Sequence, residues 1–211
     1  MRRLATAGTA VVVGTGASAG AAHAAAIVIT PAKACYLSGE TITVTGSGYT
    51  PGYAVQVALD GNSLGELAAD AAGNIAANIE LGTMRGAKSH ALTVVDTTNA
   101  ANAATASFLA TTFQVTVKPR NTRAGRRLRL RGYGFIGMAN VFMHVRGAGG
   151  YKSDNRLGRP QGPCGTFGVR RRIVRPGAAT GNYSVQFDAV RRFSKKTRPR
   201  VRGTMRVYPR V

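Results

Sequence analysis

The sequence is poor in the residues that most enzymes and metal sites use. Its 211 residues include two cysteines, three histidines, eight acidic residues and no tryptophan. Catalysis usually needs a small set of positioned ionisable groups, and no two histidines have the spacing of metal ligands. No glycine-rich loop leads into a helix, as a phosphate-binding loop would require. We therefore expect a protein that is not an enzyme and that holds no metal or cofactor.

Beyond the N-terminal region, the sequence has no apolar run long enough to span a bilayer. Two arginines follow the first residue, residues 4–21 are uncharged and weakly apolar, and Ala22-His23-Ala24 is a small-x-small sequence. This order is typical of a cleaved secretion signal. A membrane anchor is the rival interpretation, but alanine, glycine and threonine dominate where leucine and isoleucine would be expected. We predict a signal peptide over residues 1–26 and a secreted protein, free or associated with the cell wall.

The rest of the chain is an internal repeat with an offset of 86 residues. Segment 46–49 (GSGY) returns as 132–135 (GYGF), and the alternating segment 41–45 returns as 127–131. Later matches have an offset of 93, which indicates a seven-residue insertion in the second copy. The repeat predicts two copies of one module, the first over residues 27–112 and the second over residues 113–211.

Each copy has the pattern of short β-strands. Segments 41–45 and 127–131 alternate polar and apolar residues, which is typical of half-buried strands. Residues 54–59 run into Asp60-Gly61, a hairpin turn sequence, and the repeat pairs this turn with Arg146-Gly147. Segment 64–72 has apolar residues at helical spacing, but its partner in the second copy contains two prolines and cannot be helical. We therefore expect a strand, a turn containing Gly73, and a second strand there.

The first copy carries the pattern Gly46-x-Gly48-Tyr49-x-Pro51-Gly52-x-x-Val55-x-Val57-x-x-Asp60-Gly61-x-x-Leu64-Gly65. This pattern resembles the Ig-like repeats that high-GC Gram-positive bacteria export. The second copy has Gly137 in place of the proline. The resemblance implies an all-β protein of two tandem immunoglobulin-like β-sandwiches. A more distant similarity is to the neocarzinostatin-type chromophore-binding sandwiches, which depend on two disulfides within one domain, whereas each copy here has one cysteine.

Positive charge is concentrated in the second copy. Residues 27–112 have three basic and six acidic residues, a formal charge of −3. Residues 113–211 have 24 basic residues, of which 20 are arginine, and two acidic residues, a formal charge of +22. A genomic preference for arginine codons does not explain this contrast, because the first copy has a single arginine. The guanidinium fork suits phosphate and carboxylate groups, so the second copy is predicted to bind anions; a merely solvated surface is the alternative.

Strand alternation predicts which arginines face outward. Inward-facing Leu128 and Leu130 leave the arginines between and beside them on the outer face. In segment 170–172 the middle arginine would point inward unless a bulge turns it. Because the strands of 127–131 and 170–172 usually share a sheet in an Ig-like sandwich, we expect their arginines to form one basic face. The predicted anion-binding residues are Arg127, Arg129, Arg131, Arg170, Arg172, Arg200, Arg202 and Arg206.

The function predicted from these features is docking to anionic envelope polymers or lipid head groups through weakly specific electrostatics. Sequence-specific nucleic-acid recognition is not expected, since no helix-in-groove or zinc motif is present. The alternatives are a carrier of a small apolar ligand, as the neocarzinostatin-type similarity implies, and a structural or adhesive spacer. His144 alternates with Phe142 and Arg146, and we expect it on the outer surface.

The two cysteines lie in different copies, Cys35 in the first and Cys164 in the second. In an exported chain they are predicted to form one disulfide that crosses between the copies. Two buried free thiols and an intermolecular bridge remain open at this point.

Overall fold

The computed structural model describes residues 24–209, which form an all-β protein with one short 3-10 turn at Ala148–Gly150. The first eight strands are β1 (Ala26–Thr30), β2 (Tyr36–Leu37), β3 (Thr41–Ser47), β4 (Ala54–Leu59), β5 (Asn62–Ala68), β6 (Ile75–Glu80), β7 (Ala87–Asp96) and β8 (Ala103–Thr111). The other eight are β9 (Gln114–Lys118), β10 (Asn121–Arg123), β11 (Arg127–Tyr133), β12 (Val141–Gly147), β13 (Tyr151–Gly158), β14 (Phe167–Arg172), β15 (Gly181–Asp188) and β16 (Val201–Tyr208). All but three residues of the predicted signal peptide lie outside the described residues.

The two halves have the same topology. In the first, a three-stranded sheet with the order β1-β3-β6 accompanies a five-stranded sheet with the order β2-β8-β7-β4-β5. In the second, the orders are β9-β11-β14 and β10-β16-β15-β12-β13, which are the same orders shifted by eight strands. Pairing is antiparallel except where the short β2 and β10 run parallel to the last strand of their sandwich. The prediction of two tandem Ig-like sandwiches is confirmed.

Each sandwich has its own apolar core, built by alternation along the strands. In β3 the inward Ile42 and Val44 are buried between exposed or half-buried threonines. In β11 the inward Leu128 and Leu130 are buried, while the arginines between them are exposed. Burial of such side chains contributes about 1.5–3 kcal/mol each, which fixes the strand register because a one-residue slip would expose them all.

The repeat seen in the sequence is also a repeat of strand register. Leu92 of β7 lies opposite Leu59 of β4, and Val185 of β15 lies opposite Val145 of β12. The insertion lengthens the β12–β13 hairpin, whose turn is at Ala148–Gly150. The pairing of Asp60-Gly61 with Arg146-Gly147 as turns is therefore wrong, because the longer hairpin keeps the latter pair inside β12.

The segment with helical spacing is a strand, as the repeat predicts. Residues 64–68 belong to β5, and Gly73, with a φ of 77°, lies in the turn before β6. A side chain at Gly73 would clash with the backbone oxygen of Tyr49, since an added Cβ would be 2.3 Å from it. Close approach of the backbone and a positive φ therefore both require glycine in this turn.

A two-residue connection and a disulfide join the sandwiches. β8 ends at Thr111 and β9 begins at Gln114. Cys35, just before β2, is bonded to Cys164 in the β13–β14 turn, with a Cα–Cα distance of 5.2 Å, and both side chains are buried. The open question of the cysteines is resolved in favour of the crossing disulfide. Because the bond spans 129 residues, the chain-entropy model gives it about 5 kcal/mol of stabilisation.

Candidate anion-binding surface

Five arginines and one lysine form a ladder on the outer face of the three-stranded sheet β9-β11-β14. Arg129 pairs directly with Arg170 of β14 on one side and with Lys118 of β9 on the other. Arg127 pairs directly with Arg172. The prediction that the two arginine segments share one sheet is confirmed. We call Lys118, Arg127, Arg129, Arg131, Arg170 and Arg172 the arginine ladder.

All six ladder side chains are exposed. Neighbours are about 7 Å apart along a strand and about 5 Å apart across strands. Like charges directly opposite each other in a sheet are destabilising, and no acidic residue of the described chain forms an ion pair with any of the six. The ladder is therefore a dense array of guanidinium groups whose mutual repulsion the rest of the described chain does not relieve.

The middle arginine of the triple, Arg171, is also exposed, although no bulge turns it outward. It lies opposite the buried Leu128. β14 is an edge strand at this end of the sheet, and a long arginine side chain can carry its charged group past such an edge into water. The register therefore places Arg171 on the same side as the inward Leu128, as predicted in the absence of a bulge, and its exposure follows from its position on the edge strand.

The other three predicted arginines lie on the second sheet, at and beside β16. Arg202 and Arg206 are exposed, and the Nε of Arg202 donates to Gln186 at 3.1 Å. Arg200 is half-buried, and desolvation together with the neighbouring Arg198 and Arg202 lowers its pKa. These three residues do not join the ladder, because the two sheets of a sandwich present their outer faces in opposite directions.

The expectation for His144 is wrong, because the structure buries this side chain completely. It is on the outer face of the five-stranded sheet, but segment 189–200, between β15 and β16, covers it. The Nδ1 atom lies 2.8 Å from Asp154, and Nε2 lies 3.2 Å from the buried Asp188 and 3.0 Å from the carbonyl of Val190. Each ring nitrogen of His144 therefore lies within hydrogen-bond distance of at least one acceptor oxygen.

Further contacts complete this buried polar cluster. Asp188 also accepts hydrogen bonds from the Val190 backbone at 2.8 Å and from Gln186 at 2.6 Å. Asp154 accepts from Arg146, whose guanidinium lies 4.3 Å from the centre of the Phe193 ring. Partial burial acts to raise the pKa of Asp154, but hydrogen bonds from Arg146 and His144 outweigh it and lower the pKa.

Two acidic residues of the first sandwich, Asp60 and Asp96, have structural roles. Asp96 is buried and accepts hydrogen bonds from the backbone amides of Thr50 and Thr98, at 2.8 and 2.9 Å. Hydrogen bonds from Thr50 and Thr98 hold the pKa of Asp96 far below its usual range. Asp60 accepts from the Ala91 backbone and contacts His90. Within residues 24–209, no group of three His, Cys, Asp or Glu residues is placed to hold a metal ion.

Sequence reasoning missed the basic surface around segment 189–200. The segment contains six basic residues, and it lies over the outer face of the five-stranded sheet. Two of its arginines, Arg191 and Arg192, line a cavity of about 670 Å³ with Arg156 of β13. Strand alternation could not find this cluster, because most of it is in a loop. The density of charge in the segment was the one signal available.

Comparisons with known proteins identify no family. No family model matches the chain, and no curated protein matches it. Among solved structures, trypsin-activated alpha-2-macroglobulin from Escherichia coli is similar over 87% of this chain and 18% of its own, at 10% identity and a TM-score of 0.39. A tetra-tandem repeat from the extending region of a large adhesion protein is similar over 87% and 49%, at 14% identity and a TM-score of 0.33.

A third similar structure is that of a proposed membrane-anchored protein from Corynebacterium diphtheriae. It matches over 87% of this chain and 57% of its own, at 10% identity and a TM-score of 0.36. This chain therefore spans less than two thirds of each of the three proteins. With TM-scores below 0.5, these matches say nothing about function. In the described part of this chain, no helix has the length and apolar character needed to cross a membrane.

Proposed function

We propose that this is an exported, non-catalytic Ig-like protein whose second sandwich binds anionic polymers of the cell envelope through the arginine ladder. The observation that carries the proposal is the pairing of Arg129 with Arg170 and of Arg127 with Arg172 on one exposed face, where no acidic residue among 24–209 forms an ion pair with them. The repulsion between these side chains falls when phosphate or carboxylate groups bind across the surface. The disulfide supports export, because such bonds persist in oxidising compartments.

Binding of this kind depends steeply on salt. Each phosphate contact to a single-stranded polyanion contributes about −0.7 to the slope of log affinity against log salt. Six ladder contacts give a slope of about −4, which is a loss of roughly 300-fold between about 50 and 200 mM salt. The same physics explains why the proposed specificity is low, since every contact is to charge and not to shape.

The test is salt-titrated binding of the full chain to inorganic polyphosphate and to isolated envelopes of the producing organism. In the variant R127Q/R129Q/R131Q, three contacts are lost, and the expected slope is about −2, a loss of about 20-fold over the same salt range. The control R123Q/R159Q/K196Q removes the same charge from exposed sites outside the ladder. Equal slopes for the two variants would contradict the proposal, as would an absence of binding by the wild-type chain at low salt.

A role as a spacer is the second candidate. The observation that favours it is the connection between the sandwiches, where two residues and the bond from Cys35 to Cys164 limit their relative motion. A spacer would hold the first sandwich, with its formal charge of −3, away from the surface to which the second is bound. The carrier alternative expects an aromatic-lined apolar pocket, whereas the cavity of about 670 Å³ on the second sandwich is lined mainly by charged residues.

A further inference from the structure

A cavity lies on the face of the second sandwich opposite the arginine ladder. Its volume is about 670 Å³, and it is lined by Asn140, Phe142, Asp154, Arg156, Arg191 and Arg192. We call Arg156, Arg191 and Arg192 the pocket arginines. Two of them come from segment 189–200 and one from β13, so three guanidinium groups from distant parts of the sequence converge on one concave site.

Hydrogen bonds hold the side chain of Arg156 and the backbone on either side of Arg191 and Arg192. The Nε of Arg156 donates to Asn140 at 2.7 Å. Arg191 and Arg192 follow Val190, whose amide and carbonyl bond Asp188 at 2.8 Å and His144 at 3.0 Å. Beyond them, the carbonyl of Ser194 accepts from Gln186 at 2.9 Å, and the Phe193 ring packs on Arg146. Anchors on both sides thus fix the backbone that presents the arginine pair, which lowers the ordering cost of binding.

The carboxylate in the cavity lining already has hydrogen-bond partners. Asp154 is the one carboxylate in its lining, and its oxygens lie within hydrogen-bond distance of His144 and Arg146. None of the pocket arginines forms an ion pair in the described chain. Three convergent guanidinium groups without a carboxylate partner are the chemistry that recognises phosphate or carboxylate. The Phe142 ring adds an apolar wall against which the carbon backbone of a polymer unit can pack.

The cavity and the arginine ladder lie on opposite faces of the second sandwich. The core between the sheets contains Leu128 and Leu130 of β11 together with Val145 of β12 and Val185 of β15, so the outer faces of these sheets point away from each other. The ladder lies on one outer face and the pocket arginines on the other. Because a single straight polymer segment cannot contact both faces, each face is available to a separate chain.

We propose that the pocket arginines form a second anion-binding site and that one molecule bridges two polyanionic chains, one on each face of the second sandwich. The bridging rests on the proposed function of the ladder, whereas the pocket site does not. The ligand group is a phosphate or carboxylate carried by a linear polymer. Its concave, pre-positioned site favours a discrete anionic unit over a flat array of head groups.

The test uses the full chain with inorganic polyphosphate in one arm and polyuronate in the other, which separates phosphate from carboxylate recognition. Light scattering is followed as polymer is added. For a bridging molecule, scattering rises to a maximum and falls again when excess polymer occupies the two faces separately. The variant R156Q/R191Q/R192Q should lose this maximum while retaining the salt slope of about −4 expected for the ladder. The equally charged control R123Q/R159Q/K196Q should retain both.

Three results would overturn the inference. If the scattering maximum of R156Q/R191Q/R192Q matches that of the control, clustering of the polymer depends on net charge alone. A salt slope of about −4 in the same sample would still support the proposed function of the ladder. Unchanged side-chain Nε–H NMR signals of the pocket arginines on addition of polyphosphate to R127Q/R129Q/R131Q would exclude the second site directly. If wild type binds neither polymer, the proposed function and this inference both fail. Unfolding midpoints for each variant establish that the comparison is between folded proteins.

Discussion

Replacement of His144 by alanine tests the buried polar cluster that holds segment 189–200 on the sheet. His144 and its partner Asp188 are both fully buried. Removing the partner of a buried carboxylate costs about 3–5 kcal/mol, because the carboxylate then stays without that partner in a site with low polarity. We expect the lower end, about 3 kcal/mol, since Asp188 keeps hydrogen bonds from the Val190 backbone and Gln186.

The chain contains a matched control for this experiment. His90 of the first sandwich also places its Nδ1 on an aspartate, Asp60, at 2.6 Å, but that carboxylate is 44% exposed. Because water screens the exposed partner, we expect H90A to cost about 1 kcal/mol or less. The two variants share the residue change, but His144 also contacts Asp154 and the Val190 carbonyl. The difference between the two costs therefore measures the contribution of the whole buried cluster.

Urea unfolding followed by circular dichroism gives the free energies, and trypsin cleavage within segment 189–200 gives a local readout. H144A should become sensitive to trypsin in this segment, because the ring nitrogen that holds the Val190 carbonyl is gone. The double variant H144A/D188N should be more stable than H144A, since it removes the uncompensated charge. Equal costs for H144A and H90A, or a double variant less stable than H144A, would contradict the role of the buried Asp188 carboxylate in this prediction.

Two further predictions concern the first sandwich. The pKa of Asp96 is lowered in the folded protein, so its charged form stabilises the fold above the usual aspartate pKa of about 3.9. This stabilisation is lost as the pH falls further towards the depressed pKa. The difference in melting temperature between wild type and D96N should therefore be constant near neutral pH and shrink below about pH 4. A difference that grows on acidification would contradict this sign. The buried hydroxyl of Tyr49 has no hydrogen-bond partner in the described chain, and desolvation with the nearby Asp96 raises its pKa to about 12. In urea unfolding, Y49F should leave the free energy of unfolding unchanged or raise it by up to about 1 kcal/mol. F135Y, at the matching position of the second copy, should lower it by about 1–3 kcal/mol. A large decrease in the free energy of unfolding of Y49F would show that the hydroxyl has a partner.

Much of the fold follows from local patterns. The repeat and the alternation in segments 41–45 and 127–131 predict two copies of a strand-rich module, because strand periodicity is local and burial of one face selects its register. The same reasoning corrected the helical spacing of segment 64–72, since the second copy could not be helical. The turn at Arg146-Gly147 was mispredicted because the position of an insertion inside a hairpin is set by cross-strand pairing, which similarity between copies does not reveal.

The alternation along β11 is enough to predict the composition of each of its faces, and with it the outward direction of Arg127, Arg129 and Arg131, because alternation along one strand is independent of the rest of the chain. What lies beside and above those faces depends on contacts between distant parts of the chain. Pairing of distant strands placed Arg170 directly opposite Arg129, and the path of segment 189–200 buried His144 and brought two of its arginines to Arg156. The disulfide likewise required Cα atoms 129 residues apart to approach within 5.2 Å. Such contacts depend on the packing of whole sheets and loops, whose free energies are spread over many residues and leave no local pattern.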